Sequence, residues 1–137
     1  AEAHMTLNDL GDRHEAVARD AFDFLDEAAS EGREWDLVIL DPPSFAPNRQ
    51  SADKAGKAYE RLVAAGATVT CRGGLLAAAS CSSHVGLDAF TGHVENGIGA
   101  ARRRATILGV HQQPADHPTP LPFRDFRYLK LLLLRVD

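Results

Sequence analysis

Two short stretches of the sequence carry side chains that could do chemistry. The first is Asp41-Pro42-Pro43-Ser44-Phe45, entered directly from the apolar run Leu37–Leu40. The second is Ser80-Cys81-Ser82, entered from Leu75-Leu76 and three alanines. Proline has no backbone N–H and its ring holds φ at about −65°. Pro42-Pro43 therefore keeps the chain extended, with carbonyl oxygens that no neighbouring strand needs. Those acceptors, with the Asp41 carboxylate, could receive the amino protons of a planar base, and Phe45 could offer a stacking face. The plainer reading of such a motif is an acidic turn or helix cap. The buried strand in front of Asp41 favours a site. Cys81 brings a different capability, because a thiolate is a strong nucleophile and also a competent leaving group. Its plainer reading is an ordinary buried strand cysteine. Cys71 precedes the glycine pair Gly73-Gly74, away from that end of the strand, and reads as structural.

The elements that must hold these residues alternate. Residues 1–10 read as the end of a helix closed by Gly11-Asp12, and His14 to Ala18 as a short strand. Asp20 is placed to cap a helix with Phe22, Leu25 and Ala29 on one face, stopping near Gly32. Leu37–Leu40 reads as a strand covered on both sides. Ser51 would open a helix with Ala55, Tyr59, Leu62 and Val63 inward. Gly73-Gly74 turns into a strand over Leu75–Ser80, and Leu87, Phe90, Val94 and Ile98 follow at helical spacing. Strands over Thr106–His111 and Tyr128–Val136 are separated by the proline-rich loop from Pro114 to Pro122. This order predicts an α/β fold: a mostly parallel sheet, helices on both faces, and an antiparallel last strand. Ligands of such sheets sit beyond the carboxyl ends of the strands. Adjacent parallel strands would bring Asp41 and Cys81 to one rim.

Composition narrows the function. The chain has 137 residues, 45% of them hydrophobic and 25% charged, which suits one globular domain. No repeat or linker divides it. A formal net charge of −4 gives no global signal of a nucleic-acid binder, and Arg102-Arg103-Arg104 reads as a solvated helix end. The two cysteines lack CxxC spacing and no secretory signal precedes them, which suggests a cytoplasmic chain with free thiols. The longest apolar run, Leu131–Leu134, is far too short for a membrane span. The six histidines show no paired metal-ligand spacing, so no metal is expected. Ser82-Ser83-His84 lacks the glycines of a hydrolase elbow. His117 could line the site or merely cap its loop, and Lys130, alternating with leucines, reads as an exposed-face or rim residue.

The blocks DLVILDPPSF, YERL, GGLLAAASCSSHV, DHPTP and YLKLLLLRV resemble the class I S-adenosylmethionine-dependent methyltransferases. They are most similar to the large-subunit ribosomal RNA cytosine-5 methyltransferase family, whose Rossmann-like catalytic domain follows an N-terminal RNA-binding PUA domain. The resemblance covers nearly the whole chain in the family's order. Asp-Pro-Pro alone is shared with amino-group methyltransferases; its combination with Ser-Cys-Ser is more specific. The resemblance implies S-adenosylmethionine as methyl donor and ribosomal RNA as substrate. It also implies Asp20 and Asp41 on the donor side, Asp41, Pro42, Pro43 and Phe45 around the target base, and Cys81 as nucleophile. The family's glycine-rich loop and first two strands have no counterpart here, nor does the PUA domain. Residues 1–137 thus read as the C-terminal part of a catalytic domain. On that reading His14–Ala18 lacks a strand partner, and open sheet edges favour self-association or a homodimer. An amino-group methyltransferase that leaves Cys81 idle, and a non-catalytic RNA-docking or assembly fragment, remain as alternatives.

Overall fold

The computed structural model describes residues 2–45, 52–123 and 127–137. Helix α1 (Glu2–Leu7) and a single 3-10 turn (Gly11–Arg13) precede helix α2 (Ala21–Ser30). Strand β1 (Trp35–Leu40), helix α3 (Ala52–Thr68), strand β2 (Thr70–Ser80) and helix α4 (Leu87–Ala100) follow, and strands β3 (Ala105–His111) and β4 (Lys130–Val136) complete the chain.

Local chemistry explains the helices. The Asp20 carboxylate accepts hydrogen bonds from the Phe22 and Asp23 amides, at 2.8 and 3.2 Å, and so caps α2 as its sequence suggests. Gly32 ends that helix at φ +68°, a left-handed conformation that glycine adopts without steric penalty. Of the expected inward residues, Leu25 is buried, but Ala28 rather than Ala29 completes the stripe. Ala55, Tyr59, Leu62 and Val63 of α3 are buried as their spacing predicts, and so are Phe90, Val94 and Ile98 of α4. The two helices approach closely at Gly97, where a Cβ would lie 2.7 Å from the Glu60 carbonyl oxygen. The expected start of α3 at Ser51 lies outside the described residues.

The sheet has the order β1-β2-β4-β3. β1 and β2 are parallel, and β4 inserts antiparallel to both β2 and β3. The expected mostly parallel sheet with an antiparallel last strand is therefore observed. The expectation of helices on both faces is corrected among the described residues. Val38, Leu40, Leu76, Ala78, Leu132 and Leu134 share one core with α2, α3 and α4. On the other face Leu37 and Ile39 remain 50% and 62% exposed. The topology gives the reason. From β1 to β2 to β3 the chain advances across the sheet in one direction, so right-handed crossovers deposit α3 and α4 on the same face.

Two further corrections concern strands. His14–Ala18 joins no ladder, because strand propensity without a hydrogen-bonding neighbour does not make a strand. β2 also begins at Thr70, not after the glycine pair. Gly73, at φ +77°, lies inside it, and the register with β1 shifts between Trp35 and Leu37. The glycine pair thus bends a strand instead of opening one. No helix among the described residues is long and apolar enough to cross a membrane.

Candidate functional site

Parallel pairing of Leu40 with Ala78 brings the carboxyl ends of β1 and β2 to one rim. Asp41 leaves β1 at that rim, and Cys81 follows β2 there, as the alternation of elements predicts. The two segments are joined by hydroxyl groups. Ser44 Oγ lies 3.0 Å from Ser82 Oγ, so the Asp41–Phe45 loop is hydrogen-bonded directly to the residue after Cys81. Tyr59 rises from α3 between them, its hydroxyl 2.8 Å from Ser80 Oγ and 2.9 Å from Ser82 Oγ. The Ser82 amide donates back to Ser80 Oγ at 3.2 Å. Ser80, Ser82 and Tyr59 are buried. Buried hydroxyls are stable only when each finds a partner, and here each does. The result is a turn whose flanking serines point inward while Cys81 keeps partial exposure.

Phe45 packs on Tyr59 with ring centroids 5.0 Å apart, and Tyr59 meets Phe90 edge-on at 5.2 Å. Phe45 therefore anchors its loop to the core. It also lines a cavity of about 650 Å³ with Asp20, Phe22, Trp35, Ile39, Asp41, Pro42 and Pro43. That volume lies in the range of small-molecule sites. The cavity gathers every predicted site residue except Cys81, which is tied to it through Ser44 and Ser82. It is bordered by the exposed side chains of Leu37 and Ile39. Asp41 is exposed at this rim. His117 is exposed in its loop, with Asp116 3.8 Å away.

Cys71 sits at the opposite end of β2. Its Sγ donates to Asp36 Oδ1 at 3.3 Å. This hydrogen bond to an acid, with some burial and the nearby charges of Asp36 and Glu34, pushes the Cys71 thiol above its ordinary range.

Lys130 bears out one half of its sequence reading, a rim contact, and corrects the other, an exposed face. It is 6% exposed, not on an open face. Its Nζ donates to the Ser82 carbonyl at 2.9 Å and to the Tyr128 carbonyl at 2.8 Å. Burial pushes the ammonium below the usual lysine range, while Cys81 acts in the opposite direction. Sequence reasoning also assigned Tyr59 to the core without a polar role. One signal was available: a buried tyrosine needs a partner for its hydroxyl.

As for a cofactor, Asp20 at the start of α2, with Phe22 beside it, offers an acceptor next to an apolar surface. That fits the adenine end of a nucleoside-bearing donor. Asp41 lines the same cavity. Among the described residues no cluster of His, Cys, Asp or Glu could hold a metal ion.

No protein-family profile matches the chain. A ribosomal RNA large subunit methyltransferase of Deinococcus radiodurans is 36% identical over 138 residues, covering 100% of this chain and 33% of that protein. Ribosomal RNA large subunit methyltransferase I of Shewanella frigidimarina is 32% identical, covering 99% of this chain and 34% of its own length. Among solved structures, a candidate methyltransferase complexed with SAH superposes with a TM-score of 0.81 at 28% identity, over 97% of this chain and 34% of the other. A candidate SAM-dependent methyltransferase from Streptococcus mutans gives a TM-score of 0.81 at 27% identity. The chain spans about a third of the length of these proteins. In sequence and in fold, it matches a C-terminal portion of the S-adenosylmethionine-dependent methyltransferases related to the large-subunit ribosomal RNA enzymes.

Proposed function

We propose that this chain supplies the base-binding and nucleophilic half of a methyltransferase site acting on carbon 5 of cytosine in ribosomal RNA. One observation carries the reading: Asp41-Pro42-Pro43 and Ser80-Cys81-Ser82 leave adjacent parallel strands at the same rim and are joined there through Ser44 and Ser82. The names of the relatives support methyl transfer to ribosomal RNA. A structural neighbour complexed with SAH supports S-adenosylmethionine as donor. When bound, the donor supplies a methyl group on a sulfonium centre.

The residues of this chain would then act as follows. Carbon 5 of cytosine is too electron-poor to attack a sulfonium methyl directly. The Cys81 thiolate adds at carbon 6, and the ring electrons move to make carbon 5 an enamine carbon. Asp41 sits to protonate ring nitrogen 3 and so stabilise this adduct. Pro42 and Pro43 present carbonyl oxygens to the exocyclic amino group. After carbon 5 has taken the methyl group, a base removes the proton there, the ring regains its carbon 5–carbon 6 double bond, the Cys81 sulfur leaves as thiolate, and the nitrogen 3 proton returns to Asp41. Asp20 and Asp41 would hold the donor from this chain's side. Ribosomal RNA is the partner this implies.

The test grafts residues 1–137 in place of the matching segment of the Deinococcus radiodurans relative and supplies RNA containing 5-fluorocytidine. Fluorine at carbon 5 cannot depart as a proton does, so the sulfur–carbon 6 bond persists. We expect a covalent protein–RNA adduct on a denaturing gel, lost in Cys81→Ala. Asp41→Asn should keep the shape but impair turnover. Full turnover in Cys81→Ala with loss in Asp41→Asn would replace this reading with amino-group methylation, in which a nitrogen lone pair attacks the methyl directly. Full turnover in both would remove the site assignment altogether.

A further inference from the structure

The side chain that the proposed chemistry leaves unused is Lys130. Lysine is rarely this deeply buried without an acidic partner, since an ammonium removed from water needs a compensating charge. Among the described residues no carboxylate pairs with it. Its two acceptors are backbone carbonyls, those of Ser82 and Tyr128. In the ladder Lys130 stands directly opposite Ser80, and its Nζ reaches forward to the carbonyl of Ser82. The side chain therefore spans the residue between them, Cys81. An ammonium has three N–H donors. Two are committed to carbonyls, and burial, which favours loss of the third proton, is opposed by Cys81.

We propose that Lys130 is a positioning residue for Cys81, a buried ammonium that clamps the Ser80–Ser82 turn and serves as the charge partner of the Cys81 thiolate. This rests on the reading of Cys81 as nucleophile and adds to it the group that sustains its reactive form. It also accounts for the burial of a lysine within a run of leucines. Hydrophobic residues at that position would pack at lower cost, so the charge needs a local purpose. The other titratable groups near this rim are differently engaged. Tyr59 is hydrogen-bonded to the serines, Tyr128 presents its carbonyl to Lys130, and Asp41 and His84 are exposed.

The experiment follows alkylation of the two cysteines by iodoacetamide as a function of pH on this chain, each site read by mass spectrometry. Lys130→Met should move the midpoint of the Cys81 profile upward by about one pH unit. Lys130→Arg, which keeps the charge, should restore most of it, and Cys71 should titrate identically throughout. A role confined to holding the Ser82 carbonyl would lower the melting temperature of Lys130→Met and leave the Cys81 midpoint in place; that result overturns the proposal. Should Lys130→Met fail to fold, the reciprocal variant decides. In Cys81→Ala the lysine loses its facing anion, so the Lys130 side-chain carbon signals, followed by NMR, should titrate at lower pH than in the unsubstituted chain. An unchanged Lys130 titration there also overturns the proposal. Neither measurement needs RNA or methyl donor, so they fail independently of the 5-fluorocytidine test.

Discussion

Strand β2 carries a cysteine near each end, and the two environments are opposites. At the amino end Cys71 donates a hydrogen bond to Asp36, with Glu34 nearby, so negative charge surrounds the sulfur and holds it as a thiol. At the carboxyl end Cys81 sits between two buried serines, and Lys130, whose Nζ donates to the Ser82 carbonyl, has no carboxylate partner among the described residues. On the proposed reading, the same residue type on the same strand is protected in one place and prepared for reaction in the other. Thiolate reactivity follows local charge more than exposure. If that reading holds, the carboxyl end of this sheet is the end built for chemistry and the amino end is built for stability.

The comparison breaks most decisively if the two cysteines prove interchangeable. In the grafted enzyme we expect Cys81→Ala to lower turnover by roughly 10⁴-fold or more, as removal of a nucleophile does. Cys71→Ala should retain turnover apart from any loss of packing stability. Initial methylation rates with labelled donor measure both, and equal losses would erase the distinction.

A smaller effect should follow from loosening the reactive end alone. Tyr59→Phe removes the hydroxyl that both Ser80 and Ser82 contact, leaving buried groups with fewer partners. We expect a loss of about 1–2 kcal/mol in denaturant unfolding of the chain, together with faster Cys81 alkylation as the turn becomes mobile. An unchanged stability would mean that the serine chain does not hold the turn.

The smallest effect concerns the protected end. Asp36→Asn keeps a hydrogen-bond acceptor near Cys71 but removes the charge that raises its thiol. A raised thiol loses its proton only at higher pH, so the substitution should speed Cys71 alkylation about twofold at mildly alkaline pH. Cys81 alkylation serves as the unaffected reference. No change at Cys71 would show that its acidic surroundings do not set its reactivity.

Much of this molecule was determined by local sequence. The inward faces of α3 and α4 followed from side chains at helical spacing, because burying an apolar stripe is what stabilises such helices. Asp20 announced the start of α2, since an unpaired amide at a helix end needs an acceptor within two or three residues. Asp41 and Cys81 could be placed at one rim because each closes an apolar run, and parallel neighbours end together. Three things needed the tertiary structure. Whether His14–Ala18 forms a strand depends on a neighbour to pair with, and propensity does not supply one. The single-sided placement of the helices depends on the order of strands in the sheet, which hydrophobic patterning leaves open. The burial of Lys130 depends on which face of β4 meets the core. In a near-continuous leucine run either face is apolar, so the pattern has no phase to read. Packing chose the face that turns Lys130 inward, and so brought its side chain against the carbonyl of Ser82 from 48 residues further along the chain.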